Sequence, residues 1–129
     1  MFKLKGGKMA ALVLILISIS LAVLAQLSLK RGVSSLGTLS VSDLVSPKIF
    51  SIFSNVFVVG GLLLYVVASG LWIVVLSQEE LSFAYPLIAL GYVITAVLAK
   101  FMFNENLTLF RILGISFIAL GAYLIILKI

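Results

Sequence analysis

Four apolar runs, over residues 10–29, 50–76, 83–103 and 109–127, dominate the 129-residue chain, and none of them contains an acidic residue. Each is close to or above the roughly 20 residues that a helix rising ~1.5 Å per residue needs to cross a hydrocarbon core. The runs lack the apolar/polar alternation of membrane-barrel strands, so each must satisfy its backbone polar groups internally, as a helix does. The expected fold is an all-α membrane protein, one four-helix transmembrane domain over 1–129. Composition agrees: 64% of residues are hydrophobic, 10% are charged and the mean hydropathy is +1.37. A water-soluble domain is about 45–50% apolar and about 25% charged. A soluble enzyme is therefore excluded.

The connectors are short apart from the first, RGVSSLGTLSVSDLVSPK, whose Gly, Ser and Pro mark a loop with an interfacial turn of helix expected around residues 41–45. SQEELS and NENLT read as tight hairpins. Thr108 is placed to cap the last helix, and Pro86 falls near the start of the third, where a missing N–H costs little. Lys3, Lys5 and Lys8 ahead of an apolar stretch ending Val23-Leu24-Ala25 also fit a signal peptide, although the run is longer than a usual signal core.

Orientation stays open. Lys3, Lys5, Lys8 and Lys128 stand on one side against Lys30, Arg31, Lys48, Lys100 and Arg111 on the other, four against five. If Lys100 and Arg111 are discounted as helix-end residues, the N-terminus is cytoplasmic; otherwise the balance suits dual topology with an antiparallel dimer.

Chemistry-bearing residues are few. The chain has no Cys and no His, and Asp43, Glu79, Glu80 and Glu105 are its four carboxylates. No nucleotide loop, activated nucleophile or paired acid appears, so neither catalysis nor a metal or other cofactor is expected. The net charge of +5 comes from basic residues scattered at segment ends. It points to anionic lipid head groups and not to nucleic acid.

Helix faces supply the candidate binding residues. On the third helix Tyr85, Ala89, Tyr92, Ala96 and Lys100 share a face, and on the second so do Gly61, Tyr65, Ala68 and Trp72. On the first, Ser18, Ala22, Ala25, Gln26 and Leu29 run along one side towards Lys30 and Arg31. These stripes suit a groove with Gln26, Tyr65, Trp72, Tyr85, Tyr92, Lys30 and Lys100 as substrate contacts. They suit plain helix packing and interfacial anchoring equally. Five cations, Lys30, Lys100, Arg31, Lys48 and Arg111, emerge together and would favour a phosphate. Phe50, Phe53 and Phe57 form a lipid-facing row, and Asn55 is read as an amide within the second helix, making an interhelical hydrogen bond. Gly114 and Gly121, two turns apart on the last helix, form a seam for close packing of a dimer.

Several of these residues fall into a pattern. Ala84-Tyr85-Pro86, the Asn104-Glu105-Asn106-Leu107-Thr108 turn, the Gly114/Gly121 spacing and Gln26-Leu27-Ser28-Leu29-Lys30 resemble the drug/metabolite transporter superfamily, its EamA-like and small-multidrug-resistance-like members, over essentially the whole chain. The small multidrug resistance antiporters carry a membrane-embedded glutamate eight residues before the lysine ending the first helix. That position here is Ala22, and the Trp of their third helix aligns with Ile88.

The chain thus more closely resembles the small flippase type, the aminoarabinose-phosphoundecaprenol flippase subunits, which lack the acid and keep the Gln, the Lys and the Ala-Tyr-Pro. The resemblance implies a multi-pass protein of the bacterial inner membrane that flips a polyprenyl-phosphate-linked sugar or similar amphipathic lipid. It implies a homodimer, or a heterodimer with a paralogue. Two alternatives remain beside it: export of small cationic molecules, and a non-transporting membrane scaffold subunit.

Overall fold

Apolar sequence long enough to span a bilayer forms helix here, and isolated polar residues such as Ser18, Ser20, Gln26 and Thr95 do not interrupt it. The computed structural model describes residues 5–127. Lys3 and Lys128, and the side chain of Lys5, all weighed in the orientation argument, lie outside the described residues. Helix α1 (Lys5–Ser34) is followed by a short 3₁₀ turn (Val41–Val45), α2 (Lys48–Ser54), α3 (Val56–Gln78), α4 (Leu81–Leu87), α5 (Ala89–Phe103) and α6 (Leu109–Ile126). Among the described residues there is no strand. Gly7–Ser34, Val56–Gln78, Leu81–Phe103 and Leu109–Ile126 are each long and apolar enough to span a bilayer. The chain is a multi-pass membrane protein.

The second apolar run is not one helix. Asn55 is extended, with φ −72° and ψ 123°, and its Oδ1 accepts from the N–H groups of Phe57 at 3.0 Å and Val58 at 3.3 Å, which caps α3. Its Nδ2 donates to Gly32 O at 3.4 Å and Ser35 Oγ at 3.1 Å. The expected interhelical hydrogen bond exists, but Asn55 makes it from a helix start. A short amide that can bond nearby backbone N–H groups competes with helix continuation, so the span begins at Val56. Phe50 and Phe53 consequently lie on α2, apart from Phe57 on α3, although all three are exposed.

The third span also differs from expectation at its start. It begins at Leu81, so Pro86 is the sixth residue and lies beyond the first turn. With no proline N–H to bond the carbonyl one turn back, the chain tightens: Ile88 N–H bonds Tyr85 O at 3.0 Å and Gly91 N–H bonds Ile88 O at 2.8 Å, both three residues back. Ile88 keeps helical dihedrals, so α4 runs on into α5.

The two turn expectations hold. Thr108 caps α6, its hydroxyl accepting from Arg111 N–H at 3.3 Å. In the 3₁₀ turn, the Asp43 carboxylate accepts from the Ser40 N–H at 2.8 Å and pairs with Lys48 at 3.5 Å.

In lipid, helices associate through close packing and hydrogen bonds rather than through release of water, and α1 supplies most of both. It is the most buried span and α6 the least. Ile15, Ile19, Val23 and Leu27 on α1 pack with Val75 of α3 and with Ala84 and Leu87 of α4. A Cβ at Gly61 would lie 2.8 Å from Ala25 O, so glycine is what lets α3 approach α1 there, and one at Gly91 would lie 3.0 Å from Ile19 Cγ2, where α5 approaches. Ser18 Oγ donates to Ala68 O at 3.0 Å and Ser28 Oγ to Phe57 O at 2.7 Å, tying α1 to α3 at two levels.

Candidate functional site

Because α1 lies against both α3 and α5, the faces of the three helices enclose space at mid-span. A cavity of about 150 Å³ lies there, lined by Ser18, Ala22 and Gln26 from α1, Tyr65 and Trp72 from α3, and Tyr92 from α5 among others. Tyr92 is the midpoint of the Leu81–Phe103 span. A second cavity of about 370 Å³ runs from Gln26 and Tyr92 past Thr95 and Ala99 to Lys30 and Glu105. The two share Gln26 and Tyr92, so together they form one groove from mid-span to the mouth at the end of α1. The upper cavity alone is within the ~300–1,000 Å³ usual for small-molecule sites.

Gln26 stands at the junction. Its Oε1 accepts from Thr95 Oγ1 at 3.3 Å, which holds the amide and leaves its NH₂ group without a bonded acceptor among the described residues. Tyr65, Trp72 and Tyr92 also line the groove, and their O–H and N–H groups have no hydrogen-bond partner among the described residues. The groove lining thus carries donors that a ligand rich in oxygen acceptors could engage.

Of the sequence-predicted contacts, Gln26, Lys30, Tyr65, Trp72 and Tyr92 line the groove, whereas Tyr85 and Lys100 line neither cavity. Both are exposed. The tightened turn after Pro86 explains part of this: a 3₁₀ turn advances about 20° more per residue than an α-turn, which rotates the residues before it off the expected stripe. Ile88, just before α5, and Gly91, Tyr92, Thr95, Ala96, Ala99 and Phe103 on it face the groove, so Tyr92 and Ala96 of the expected stripe are on the groove face and Ala89 and Lys100 are not. Thr95 and Glu105 were missed as site residues. Thr95 is the one Ser or Thr in α5, a signal that was available; nothing in the spacing brings Glu105 to Lys30.

The basic mouth is also less bare than its composition suggests. Lys30 pairs with Glu105 at 3.6 Å, Lys48 with Asp43, and Arg111 donates to Asn106 O at 3.1 Å. The Arg31 guanidinium lies 5.0 Å above the Phe57 ring. Only Lys100 of the five is without such a partner among the described residues. At Asp43, outside the spans, the Ser40 backbone hydrogen bond and the Lys48 charge hold the carboxyl below its ordinary value.

On α6, a Cβ at Gly114 or Gly121 would meet nothing within 4 Å. Both glycines are exposed, and so are Phe110, Phe117 and Leu124 in line with them. The seam faces away from the rest of the chain.

No protein-family model matches the chain, and no solved structure matches it. Full-length relatives do. A protein of Photorhabdus laumondii named "Probable 4-amino-4-deoxy-L-arabinose-phosphoundecaprenol flippase subunit ArnF" is 37% identical over 119 residues, 85% of this chain and 91% of that protein. A Shewanella sediminis protein of the same name is 37% identical over 128 residues, 91% of this chain and 88% of its own. The Sodalis glossinidius protein of that name is 43% identical over 68 residues, which span about half of each, 51% of this chain and 52% of that protein. With its four spans and relatives matched at this identity over most of both lengths, the chain belongs to the family of the ArnF-type flippase subunits.

Proposed function

We propose that the protein is one subunit of a flippase in the cytoplasmic membrane that moves a polyprenyl-phosphate-linked sugar from one leaflet to the other, without covalent chemistry. The observation that carries this reading is the groove from mid-span to mouth, lined by Gln26, Tyr65, Trp72 and Tyr92, whose donors are uncommitted. A sugar phosphate supplies acceptors for them, while a polyprenyl tail stays in lipid beside α3 and α5. The single four-helix unit acts with a second subunit, its own copy or a paralogue, seated on the α6 face at Gly114 and Gly121, where small residues admit a close backbone. The names of the relatives, flippase subunits for an aminoarabinose lipid, support the same reading.

Proton-coupled export of cations fits less well. Ala22, at the position of the antiporters' glutamate, lines the mid-span cavity and presents a methyl group, and among the described residues no carboxylate lines that cavity. A charge at that depth costs about 2.5–3.5 kcal/mol on insertion scales, so a chain without the acid has no coupling site there.

The test is translocation of a labelled polyprenyl-phosphate sugar in proteoliposomes with the protein and, if required, its paralogue. Accelerated exchange that is lost in Gln26→Leu supports the reading. Binding of a quaternary ammonium compound, with none of the lipid, overturns it.

A further inference from the structure

The charges at the mouth point to the kind of head group the groove accepts. Among the described residues, Lys30 and Glu105 are the only charged side chains lining the upper cavity, they carry opposite signs, and their charged atoms stand 3.6 Å apart. The cavity lining therefore offers one cation and one anion side by side. A lone anion would meet Glu105 and a lone cation would meet Lys30, so either is penalised by one member of the pair. A ligand carrying both signs meets no such penalty. The pair is also exchangeable: side-chain exposures of 53% for Lys30 and 41% for Glu105 leave it largely solvated, and such pairs hold their partners weakly.

We infer that Lys30 and Glu105 form a zwitterion site, in which a sugar phosphodiester bearing an amine opens the ion pair, its phosphate taking Lys30 and its ammonium taking Glu105. This deepens the flippase reading and rests on it. Glu105 is then the residue that selects an aminated sugar over an unaminated one. Lys30 serves both ligands. The site lies at the end of the groove, so the ring below the phosphate comes within reach of Gln26 and Tyr92.

The test uses the full-length chain in nanodiscs, and Trp72, its one tryptophan, reports occupancy by fluorescence because it lines the groove. Two probes are titrated: a polyprenyl phosphate linked to an aminopentose, and the same lipid with a hydroxyl in place of the amine. The wild type is expected to bind the aminated lipid about tenfold or more tightly, the scale of one charge-assisted hydrogen bond. Glu105→Gln should erase that preference by weakening the aminated lipid alone. Glu105→Asp should retain it, and Lys30→Gln should weaken both lipids. Equal affinity of the wild type for the two lipids, or equal weakening of both by Glu105→Gln, overturns the assignment and leaves the flippase reading standing. If the wild type binds neither lipid, both fall.

Discussion

Thr95 on α5 donates to Gln26 on α1 at 3.3 Å, and this bond crosses the groove wall at the level where the two cavities meet. It separates two roles of Gln26, because Oε1 is bonded to Thr95 and the NH₂ group has no partner among the described residues. Thr95→Val should lower thermal stability in detergent by only about 0.6–1.7 kcal/mol, the scale of intramembrane hydrogen bonds, and leave lipid binding largely intact. Gln26→Leu should cost similar stability yet abolish transport. Equal loss of transport in both variants would place the function of Gln26 in packing.

The glycines of the chain divide by what lies opposite them. Gly61→Ala forces a methyl against the Ala25 carbonyl, and should destabilise by about 1–2 kcal/mol even after the ~1 kcal/mol gained in helix propensity. Gly91→Ala meets the Cγ2 methyls of Ile19 at 3.0 Å and Val23 at 3.6 Å, side chain and not backbone, and should cost less than Gly61→Ala. Unfolding midpoints of the two variants in one detergent decide the ranking.

On α6 the same logic reverses. A Cβ at Gly114 or Gly121 is free within the chain, so Gly114→Ala should stabilise the monomer slightly through helix propensity. Gly114→Leu and Gly121→Leu should leave the monomer folded and weaken subunit association. Cross-linking in membranes that is unchanged in both leucine variants would remove the α6 interface.

Lys30→Gln should weaken binding of a polyprenyl phosphate, whereas Lys100→Gln should leave it unchanged, since Lys100 lines neither cavity. Affinity measured for both variants separates a contact from an interfacial anchor. A shared loss would return Lys100 to the site.

The absence of cysteine makes single-cysteine labelling unambiguous. With four spans, cysteines at Lys8 and Glu80 should label from one side of the membrane and one at Asn106 from the other. Labelling of every site from both sides would indicate dual topology.

Asp43 gives a pH dependence. Its carboxyl titrates below the ordinary value of 3.8, chiefly because the ionised form accepts from the Ser40 N–H. The stabilisation of the 3₁₀ turn is thus complete above the unfolded value and is lost as pH falls through the lowered one. Amide exchange at residues 40–46 should stay protected, relative to Asp43→Asn, until pH drops below the usual carboxylate range.

Hydropathy made the four spans legible, because length and an unbroken apolar composition suffice to identify a helix that satisfies its own backbone. Their breaks were hidden for the same reason. Asn55 sits within an apolar run, and only the return of α1's end beside it shows that its amide caps α3. Gln26, Tyr65, Trp72 and Tyr92 were found because their helices face inward with regular period. The period fails at Pro86, before which Tyr85 turns outward. The pairing of Lys30 with Glu105 links positions 75 residues apart, a matter of tertiary arrangement on which periodicity is silent.

The Asn55 side chain, bonded at once to the start of α3 and the end of α1, has a mechanical consequence. Together with the Ser18 and Ser28 hydroxyls, which bond α3 carbonyls, it clamps α1 and α3 along their shared length into a stiff frame. The opposite wall is a leaf hung on that frame: α5 crosses to α1 through one hydrogen bond at Thr95 and is over-wound at its foot beside Pro86. The compliance of the groove therefore lies in that leaf, not in the frame.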